Sequence, residues 1–430
     1  MKMKTIARLI PLLAAGLASG QASAAGFQLL EQNASGIANA YAGSAAVAEN
    51  ASTIFFNPAG MTQLKDREIS VGMSAVRPTF KFSDRGSSSL GAFASAGEGN
   101  DAGSWAFIPN AYMSWALTKN LYAGLGIGAP FGQVTEYNDP WVGAAQAIKF
   151  DIKTMNLNPS LAYRINDKVS VGGGLNYQKM KVEYIRRAAI GPVSPLNVAG
   201  TSATLSADND AWGWNVGALF TLSPTTKVGV SYRSSIKHDL KGDLSVSGPA
   251  AGANAALTTG AAKADVELPE TFILSVAQTL SDKWEMLGDV SWTGWSSIPK
   301  VDIVRTAGAL NGVTVQTLDT KFRDTWRFAL GANYRLNEQV KLKFGVAYDQ
   351  TPVQSDQHRL VSLPDSNRTW LSGGAQFKVT KDSLLDLGAA YLRVGESHID
   401  NNQSADGRGY VKGVYDARVW ILGAQYSMAF

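Results

Sequence analysis

Hydrophobic and polar positions alternate one by one along residues 420–430. One face carries apolar and aromatic side chains, namely Trp420, Leu422, Ala424, Tyr426, Met428 and Phe430. The positions between them are smaller or more polar, apart from Ile421. A period of two is the period of a β-strand. An apolar face with aromatic residues at both ends is typical of a strand in an outer-membrane β-barrel.

The same alternation recurs over residues 154–163, 326–335 and 340–349. In each segment the charged and amide side chains share one face, as Lys341 and Lys343 do. Lipid would penalise a lysine or arginine by about 2–4 kcal/mol at the bilayer midplane. We therefore predict that the polar face points into a lumen and that the apolar face meets lipid.

Six short polar connections have the length and composition of hairpin turns, at 118–120, 166–168, 223–227, 281–283, 337–339 and 380–383. Six turns join twelve strands, and one more strand at each end makes about fourteen, an even number that suits a barrel with both chain ends in the periplasm. Longer polar connections alternate with the turns, at 81–104, 132–151, 187–210, 239–267, 298–321, 351–366 and 396–416. This asymmetry predicts an all-β fold, a transmembrane antiparallel β-barrel over residues 67–430.

The N-terminus predicts export. Positive charges at Lys2, Lys4 and Arg8 precede a mostly apolar run, and the small residues 22–24 form a cleavage site. This pattern is that of a secretory signal peptide over residues 1–24. The run is too short and too interrupted to span a bilayer as a helix. Together with the strand pattern, it predicts localisation in the outer membrane of a Gram-negative type of cell.

Composition excludes several classes of function. The formal charge is +4, and three of these charges lie in the signal peptide, so about +1 remains and nucleic-acid binding is not expected. Cysteine is absent, and the three histidines lack ligand spacing, so we expect no metal and no cofactor. No Ser/His/Asp set shares a strand face, although His398 and Asp400 leave an outer-membrane hydrolase as an open alternative.

Residues 25–66 lack strand alternation. The segment is rich in small and turn-forming residues, ends near Asn57, Pro58 and Ala59, and is poor in charge. It also contains apolar residues that a disordered tail would seldom hold, among them Phe27. A barrel of fourteen strands is too wide for wall side chains alone to fill. We predict that this segment is a hatch folded inside the lumen, with a periplasmic tail as the alternative.

Several short motifs carry a resemblance, in order along the mature chain: 25–29, 57–59, 135–139, 154–158, 268–270, 322–324, 363–365 and 428–430. The chain resembles the long-chain fatty-acid transport porin family (FadL, with its aromatic-hydrocarbon branch). The resemblance implies a fourteen-strand barrel blocked by an N-terminal hatch. It also implies diffusive uptake of hydrophobic compounds without an energy source. We expect a monomer surrounded by outer-membrane lipid and lipopolysaccharide.

The third predicted strand has an unusual inward face, made of Gly124, Gly126, Gly128 and Pro130 and followed by Gly132. Glycine weakens a strand and proline cannot donate to the ladder, so pairing should fail or kink here. The alternative is a glycine-rich corner that only relieves curvature. In the resembled family an inward kink of this strand opens a lateral gap in the wall, through which an apolar ligand could leave toward the membrane.

Strand parity places four arginines inside the barrel: Arg186, Arg323, Arg327 and Arg368. For Arg323 this requires the strand that contains Arg327 and Arg335 to extend upward without a break. A guanidinium suits a carboxylate head group, because it can donate two parallel hydrogen bonds. The alternative is pairing with lumenal carboxylates, those of Asp349, Asp365 and Asp386.

The resemblance refines this set. It places Arg323 and Arg368 at basic positions near an internal ligand site, whereas the sequence around Arg186 departs from the family pattern. Phe27, at the start of the mature chain, joins the candidate substrate-binding residues. By resemblance, the long connections 187–210 and 239–267 would form an external apolar groove.

The sequence therefore predicts ligand-gated, passive uptake of hydrophobic compounds, with long-chain fatty acids as the favoured substrate. An aromatic-hydrocarbon channel of the same architecture is the main alternative. A general diffusion porin is a further alternative, but such porins usually lack an N-terminal plug.

Overall fold

The structure of the protein, a computed structural model, describes residues 26–89, 96–188 and 200–430. The predicted signal peptide lies outside these residues. No helix within the described ranges is long and apolar enough to span a membrane.

Twenty strand segments, numbered in chain order, make up the wall. They are β1 Arg67–Asp84, β2 Ala106–Ala116, β3 Leu121–Gly128, β4 Gly132–Glu136, β5 Lys149–Arg164, β6 Val169–Arg187, β7 Ser202–Ser223, β8 Thr226–Arg233, β9 Ile236–Ser247, β10 Gly260–Leu268, β11 Thr271–Thr279, β12 Trp284–Thr293, β13 Val301–Arg305, β14 Thr314–Leu318, β15 Thr325–Arg335, β16 Val340–Asp349, β17 Arg368–Thr380, β18 Ser383–Val394, β19 Ser397–Asn402 and β20 Tyr410–Ala429.

Eight segments are complete wall strands, and the other twelve join end to end in six pairs: β3 with β4, β8 with β9, β10 with β11, β12 with β13, β14 with β15, and β18 with β19. Every neighbouring pair is antiparallel. The last strand, β20, pairs with β1 from Glu68↔Ala429 to Asp84↔Gly413 and closes the barrel. The described chain thus forms a closed barrel of fourteen wall strands, which confirms the predicted fold class.

The polarity of the two faces reverses along the long strands. In β6 the outward positions change from Leu175 and Tyr177 to Lys179 and Lys181, while the inward positions change from Gln178 to Met180. The strand itself continues without a bulge across this point. We call the part with an apolar outer face the membrane half of the wall, and the part with a charged outer face the outer half.

This reversal corrects the predicted connections. β9 and β10 occupy much of the predicted loop 239–267, and β13 and β14 lie within 298–321. The lysines and aspartates of these segments are typical of loops, but here they face outward from strands and alternate with buried apolar residues such as Leu240, Leu244, Ala262 and Val266. Such alternation forms strands when water lies outside and apolar side chains lie inside. Residues 189–199 of the predicted groove lie outside the described residues.

Residues 26–66 form turns and three short helices, at Ile37–Asn39, Thr53–Phe56 and Pro58–Gln63. We call this stretch the N-terminal segment. Its backbone donates hydrogen bonds to inward-facing side chains on separate strands: Ala34 N to Gln425 Oε1 (3.1 Å), Ala45 N to Ser275 Oγ (3.0 Å) and Ala51 N to Ser70 Oγ (3.1 Å). β20 and β1 are neighbours, and β11 lies across the barrel from them, so the segment lies inside the barrel between these two sides.

Asn57 holds the end of the N-terminal segment in place. Its Nδ2 donates to the carbonyl oxygens of Ala45 (2.7 Å) and Ala218 (2.9 Å). Its Oδ1 accepts from Ala59 N (3.1 Å) and caps the helix that begins at Pro58. The amide therefore satisfies backbone groups of both the segment and the wall, and the proline stands at the first helical position, where no donor is needed.

A buried ionic network fixes the middle of the N-terminal segment. Glu49 pairs with Lys341 Nζ (2.5 Å) and Lys343 Nζ (2.8 Å), and Lys343 also pairs with Asp386 (3.0 Å). Lys343 and Asp386 are 2% exposed. Burying these charges is tolerable only because each has a hydrogen-bonded partner of opposite sign.

Candidate functional site

The outer half of the wall encloses an apolar cavity. We call it the outer chamber. Its lining is almost entirely hydrophobic and comes from several strands, including Phe150, Ile152, Met180, Val182, Leu205 and Val266. Leu360 and Leu363, from the inward-folded connection between β16 and β17, also line it. Its apolar lining suits the aliphatic or aromatic body of a small ligand.

An aromatic cluster forms one boundary of the outer chamber. The ring of Phe27 lies 4.9 Å from the ring of Trp295 and 6.0 Å from that of Phe131, and these last two rings are 6.3 Å apart. We call these three residues the aromatic partition. Phe27, predicted as a substrate-binding residue, lines the outer chamber directly.

A second cavity borders the partition, with Phe131 and Trp295 in its lining. We call it the inner chamber. The N-terminal segment contributes Leu29, Leu30 and Phe55. The wall contributes charged as well as apolar groups, among them Arg233, Arg327 and Asp349. The two chambers therefore differ in chemistry, the outer one being apolar and the inner one mixed.

The wall is interrupted between β3 and β4. β2 pairs with β3 as far as Ala111↔Ile127, whereas β4 pairs with β5. Among the described residues, β2 and β4 form no ladder, so the edge of β2 over 106–110 lacks a partner on this side. The predicted break at Pro130 thus coincides with this interruption of the wall.

The N-terminal segment satisfies the backbone at this break. Leu29 N donates to Pro130 O (2.8 Å), and Gly132 N donates to Phe27 O (2.9 Å). Gln32 Nε2 donates to Ala129 O (2.6 Å). The break is therefore bonded to residues that also line the two chambers.

The glycines of β3 have a packing role that parity did not suggest. A Cβ at Gly124 would lie 2.4 Å from Met61 Sδ, and one at Gly128 would lie 2.5 Å from Gln32 Oε1. A Cβ at Gly126 would lie 2.9 Å from the ring of Tyr112. Side chains here would displace the N-terminal segment or its neighbours.

Arg368 and Arg327 face inward, as predicted. Arg368 is 2% exposed and forms an ion pair with Asp365 through Nη2. Arg327 Nη2 donates to Ala40 O (2.6 Å), and its guanidinium lies 5.2 Å from the ring of Trp370.

The inward prediction for Arg323 is wrong. β15 begins at Thr325, so the parity of the strand does not reach Arg323, which is exposed. Its Nε donates to Thr351 O (3.3 Å). Whether it contacts a ligand stays a prediction.

Arg186 is buried beside the outer chamber. Its Nε donates to Gln316 Oε1 (2.7 Å), and Gln316 Nε2 donates to the hydroxyl of Tyr184 (2.9 Å), which lines the chamber. No carboxylate of a described residue lies within 4 Å of Arg186. Its guanidinium instead donates to neutral groups, the side chain of Gln316 and the backbone carbonyl of Arg187.

Several charged residues of the interior were not predicted, among them Arg233 and Glu31. Arg233 follows Gly229 and Ser231 at alternate positions of β8, and this parity could have identified it as inward-facing. Glu31 had no such signal, because it lies in an irregular segment. Burial raises the pKa of the Glu31 carboxyl to about 7, although the positive charges of Arg368 and Arg327 oppose the shift. Glu31 Oε2 has no hydrogen-bond partner among the described residues.

Known proteins resemble this chain over nearly its whole length. The family model described as "Outer membrane protein transport protein (OMPP1/FadL/TodX)" matches residues 15–430. The chain is 30% identical to the long-chain fatty acid transport protein of Escherichia coli O6:H1, over 97% of each chain.

Two solved structures share the architecture. A Pseudomonas aeruginosa FadL homologue matches with a TM-score of 0.84 and 22% identity, over 94% of this chain and 99% of that one. The Ralstonia pickettii toluene transporter TbuX matches with a TM-score of 0.68 and 18% identity, over 94% and 100%.

Proposed function

Because the chain belongs to the outer membrane protein transport protein family (OMPP1/FadL/TodX), we propose that it is an outer-membrane uptake channel for long-chain fatty acids. The observation that carries this proposal is the apolar outer chamber with buried Arg186 linked to its wall. An aliphatic chain gains about 0.8 kcal/mol for each methylene removed from water there. The name of the Escherichia coli relative supports the same substrate class. The family is one of transport proteins, so a barrel hydrolase is not proposed.

Binding to the purified protein tests this proposal. Hexadecanoate should bind more tightly than hexadecanol of equal chain length, because only the acid offers a carboxylate to buried guanidinium groups. Toluene is the comparison for the second candidate function, an aromatic-hydrocarbon channel. That candidate is favoured by the lining of the outer chamber, which offers little polar chemistry, and by the toluene transporter of the same fold. Saturable toluene binding without fatty-acid binding would replace the first proposal by the second.

We propose that the N-terminal segment is a hatch that closes the lumen. Support comes from its hydrogen bonds to strands on different sides of the barrel and from the network around Glu49. Conductance in planar bilayers should be low for the mature chain and should rise when residues 25–57 are deleted. A wide, open pore in the undeleted protein would support a general porin instead.

Ligand exit is proposed to occur sideways, between β2 and β4. An apolar chain that descended a wet lumen would be hydrated at about 0.8 kcal/mol per methylene, whereas exit into lipid avoids this cost. A disulfide between β2 within 106–110 and β4 within 132–136 should reduce uptake by cells while leaving binding intact. Reduction of that disulfide should restore uptake in the same protein. Unchanged uptake with the wall sealed would point to passage through the hatch.

The proposed topology places both chain ends on the periplasmic side, since the short turns belong there. We propose a monomer in contact with lipid and lipopolysaccharide. Protease added to whole cells should cleave tags inserted in the long connections and spare a C-terminal tag.

A further inference from the structure

We propose that the inner chamber is a second ligand site, in which Arg233 binds the carboxylate of an acid that has left the outer chamber. This inference rests on the proposed function and adds to it a separate binding site for the head group.

The two chambers are separate sites rather than one. The aromatic partition lies between them, with Phe27 in the lining of the outer chamber and Trp295 in that of the inner chamber. Phe322 extends the contact on the outer side, with its ring 5.9 Å from that of Trp295. The rings of the aromatic partition therefore stand between the two cavities, with Phe131 and Trp295 in the lining on the inner side and Phe27 in the lining on the outer side.

Arg233 supplies the positive charge. Its Nη2 donates to Phe55 O (2.9 Å), its Nη1 donates to Asn176 Oδ1, and its guanidinium lies 4.2 Å from the ring of Phe55. All three partners are formally neutral, and no carboxylate of a described residue lies within 4 Å of this guanidinium. Arg233 is partly buried, and a partly buried cation whose partners are all neutral is stabilised when an anion binds beside it, because both charges are then compensated.

Arg327 adds a second donor to the same chamber. Its Nε is buried and has no hydrogen-bond partner within the described ranges. Asp349, its cross-strand neighbour, is the one carboxylate in the chamber lining that the structure describes. Two arginines against one aspartate leave the lining with a net positive charge, which favours an anionic ligand over a neutral one.

The inner chamber also reaches the interrupted wall. Pro130 and Phe131 line it, and they lie between the end of β3 and the start of β4. An acid whose carboxylate lies at Arg233 therefore occupies a space bounded by the break itself. The outer chamber selects the apolar body, and the inner chamber retains the head group next to the break.

The test compares wild type with R233M and R233K. Purified, folded protein is titrated with hexadecanoate and with hexadecanol, and crystals are grown with 2-bromohexadecanoate to locate the bromine beside the carboxylate. R305M is the matched control. Arg305 is buried and also donates to backbone carbonyls, those of Gly260 and Leu244, but it lines neither chamber.

Wild type should bind two equivalents of hexadecanoate, with one bromine site near Arg233. R233M should weaken the second equivalent roughly ten- to hundredfold, and R233K should recover part of the affinity, because the lost interaction is a charge-assisted hydrogen bond. Hexadecanol binding should be the same in all variants, and R305M should match wild type for both ligands.

Two results overturn the inference. One is a single equivalent in wild type with bromine confined to the outer chamber. The other is an equal loss of hexadecanoate and hexadecanol in R233M, which would show that Arg233 only supports the N-terminal segment. Either result leaves the proposed function standing. The proposed function itself fails if wild type binds neither compound.

Discussion

The membrane half and the outer half of the wall are built from the same strands but place opposite chemistry on their faces. In β6, Leu175 faces outward and Gln178 inward in the membrane half, whereas Lys181 faces outward and Met180 inward in the outer half. The geometry of the strand is common to both. What differs is the medium on each side: lipid outside a polar interior in one half, water outside an apolar chamber in the other.

This difference shows that strand parity and side-chain polarity carry separate information. Parity tells which residues share a face, and it holds along the whole of β6. Polarity tells which face meets which medium. Whether the apolar face points outward or inward must therefore be decided anew wherever the medium changes.

Neighbouring residues on opposite faces of β6 provide the strongest test of the polarity assigned to the outer half. Met180 is fully buried in the outer chamber, and Lys181 is exposed on the outside. M180D should cost about 3–5 kcal/mol of unfolding free energy and abolish fatty-acid binding, because a carboxylate would be buried without a partner. K181D should change stability by only about 0.5 kcal/mol. Similar effects of the two substitutions, measured by denaturant unfolding and ligand titration, would contradict the assigned polarity.

The ion pairs of a buried lysine in the membrane half can be compared with those of an outward-facing lysine in the outer half. K343M would leave Asp386 buried without its cation and Glu49 with Lys341 alone, and it should cost about 3–5 kcal/mol. K179M removes pairs with Asp208 (3.1 Å) and Asp210 (3.5 Å) on the exposed outer face and should cost at most about 1 kcal/mol. Unfolding in detergent measures both. A cost for K343M as small as that for K179M would mean that water reaches the network.

The cost of placing an arginine on the outward face can also be compared between the two halves. L175R introduces a charge into the apolar band, where Leu175 is 57% exposed, and should cost about 2–4 kcal/mol in lipid vesicles. S206R lies on the exposed outward face of the outer half and should cost about 0.5 kcal/mol or less. If L175R were equally mild, the boundary between the halves would lie lower than we place it.

The buried acid of the N-terminal segment predicts a pH dependence. The pKa of Glu31 is about 7 in the folded protein, above its ordinary value of 4.5. The folded state therefore holds a proton that the unfolded state releases, and stability falls as pH rises from about 4.5 to 7. The fall should amount to about 3 kcal/mol at most. E31Q should show a weaker dependence than wild type when unfolding is measured at pH 5 and pH 8. The same dependence in E31Q would assign it to another group.

Much of the fold could be predicted from local pattern. The alternation of residues 340–349 and the six short turns led to fourteen strands, because a membrane strand and its hairpin are specified by neighbouring residues. The inward placement of Arg327 and Arg368 followed from parity inside regular strands. Parity failed for Arg323, which lies before the start of β15.

The chambers could not be predicted in the same way. Their linings combine residues that are distant in sequence, such as Phe27 and Trp295 at the aromatic partition. No pattern within one strand indicates such a contact. The extension of β9 and β10 was missed because outward lysines and aspartates are common to loops and to strands in water.

The pairing of β20 with β1 has a consequence for how the molecule is made. Ala34 donates to Gln425, a separation of 391 residues, and β1 finds its second neighbour only in the last strand. Until β20 has been synthesised and delivered, β1 keeps an unpaired edge that could join other chains. Contacts of such long range also form slowly, because the entropy of closing a long loop is lost before the contacts can stabilise the chain. The bond between the N-terminal segment and Gln425 and the closure of the wall therefore both wait for β20, the last strand of the chain.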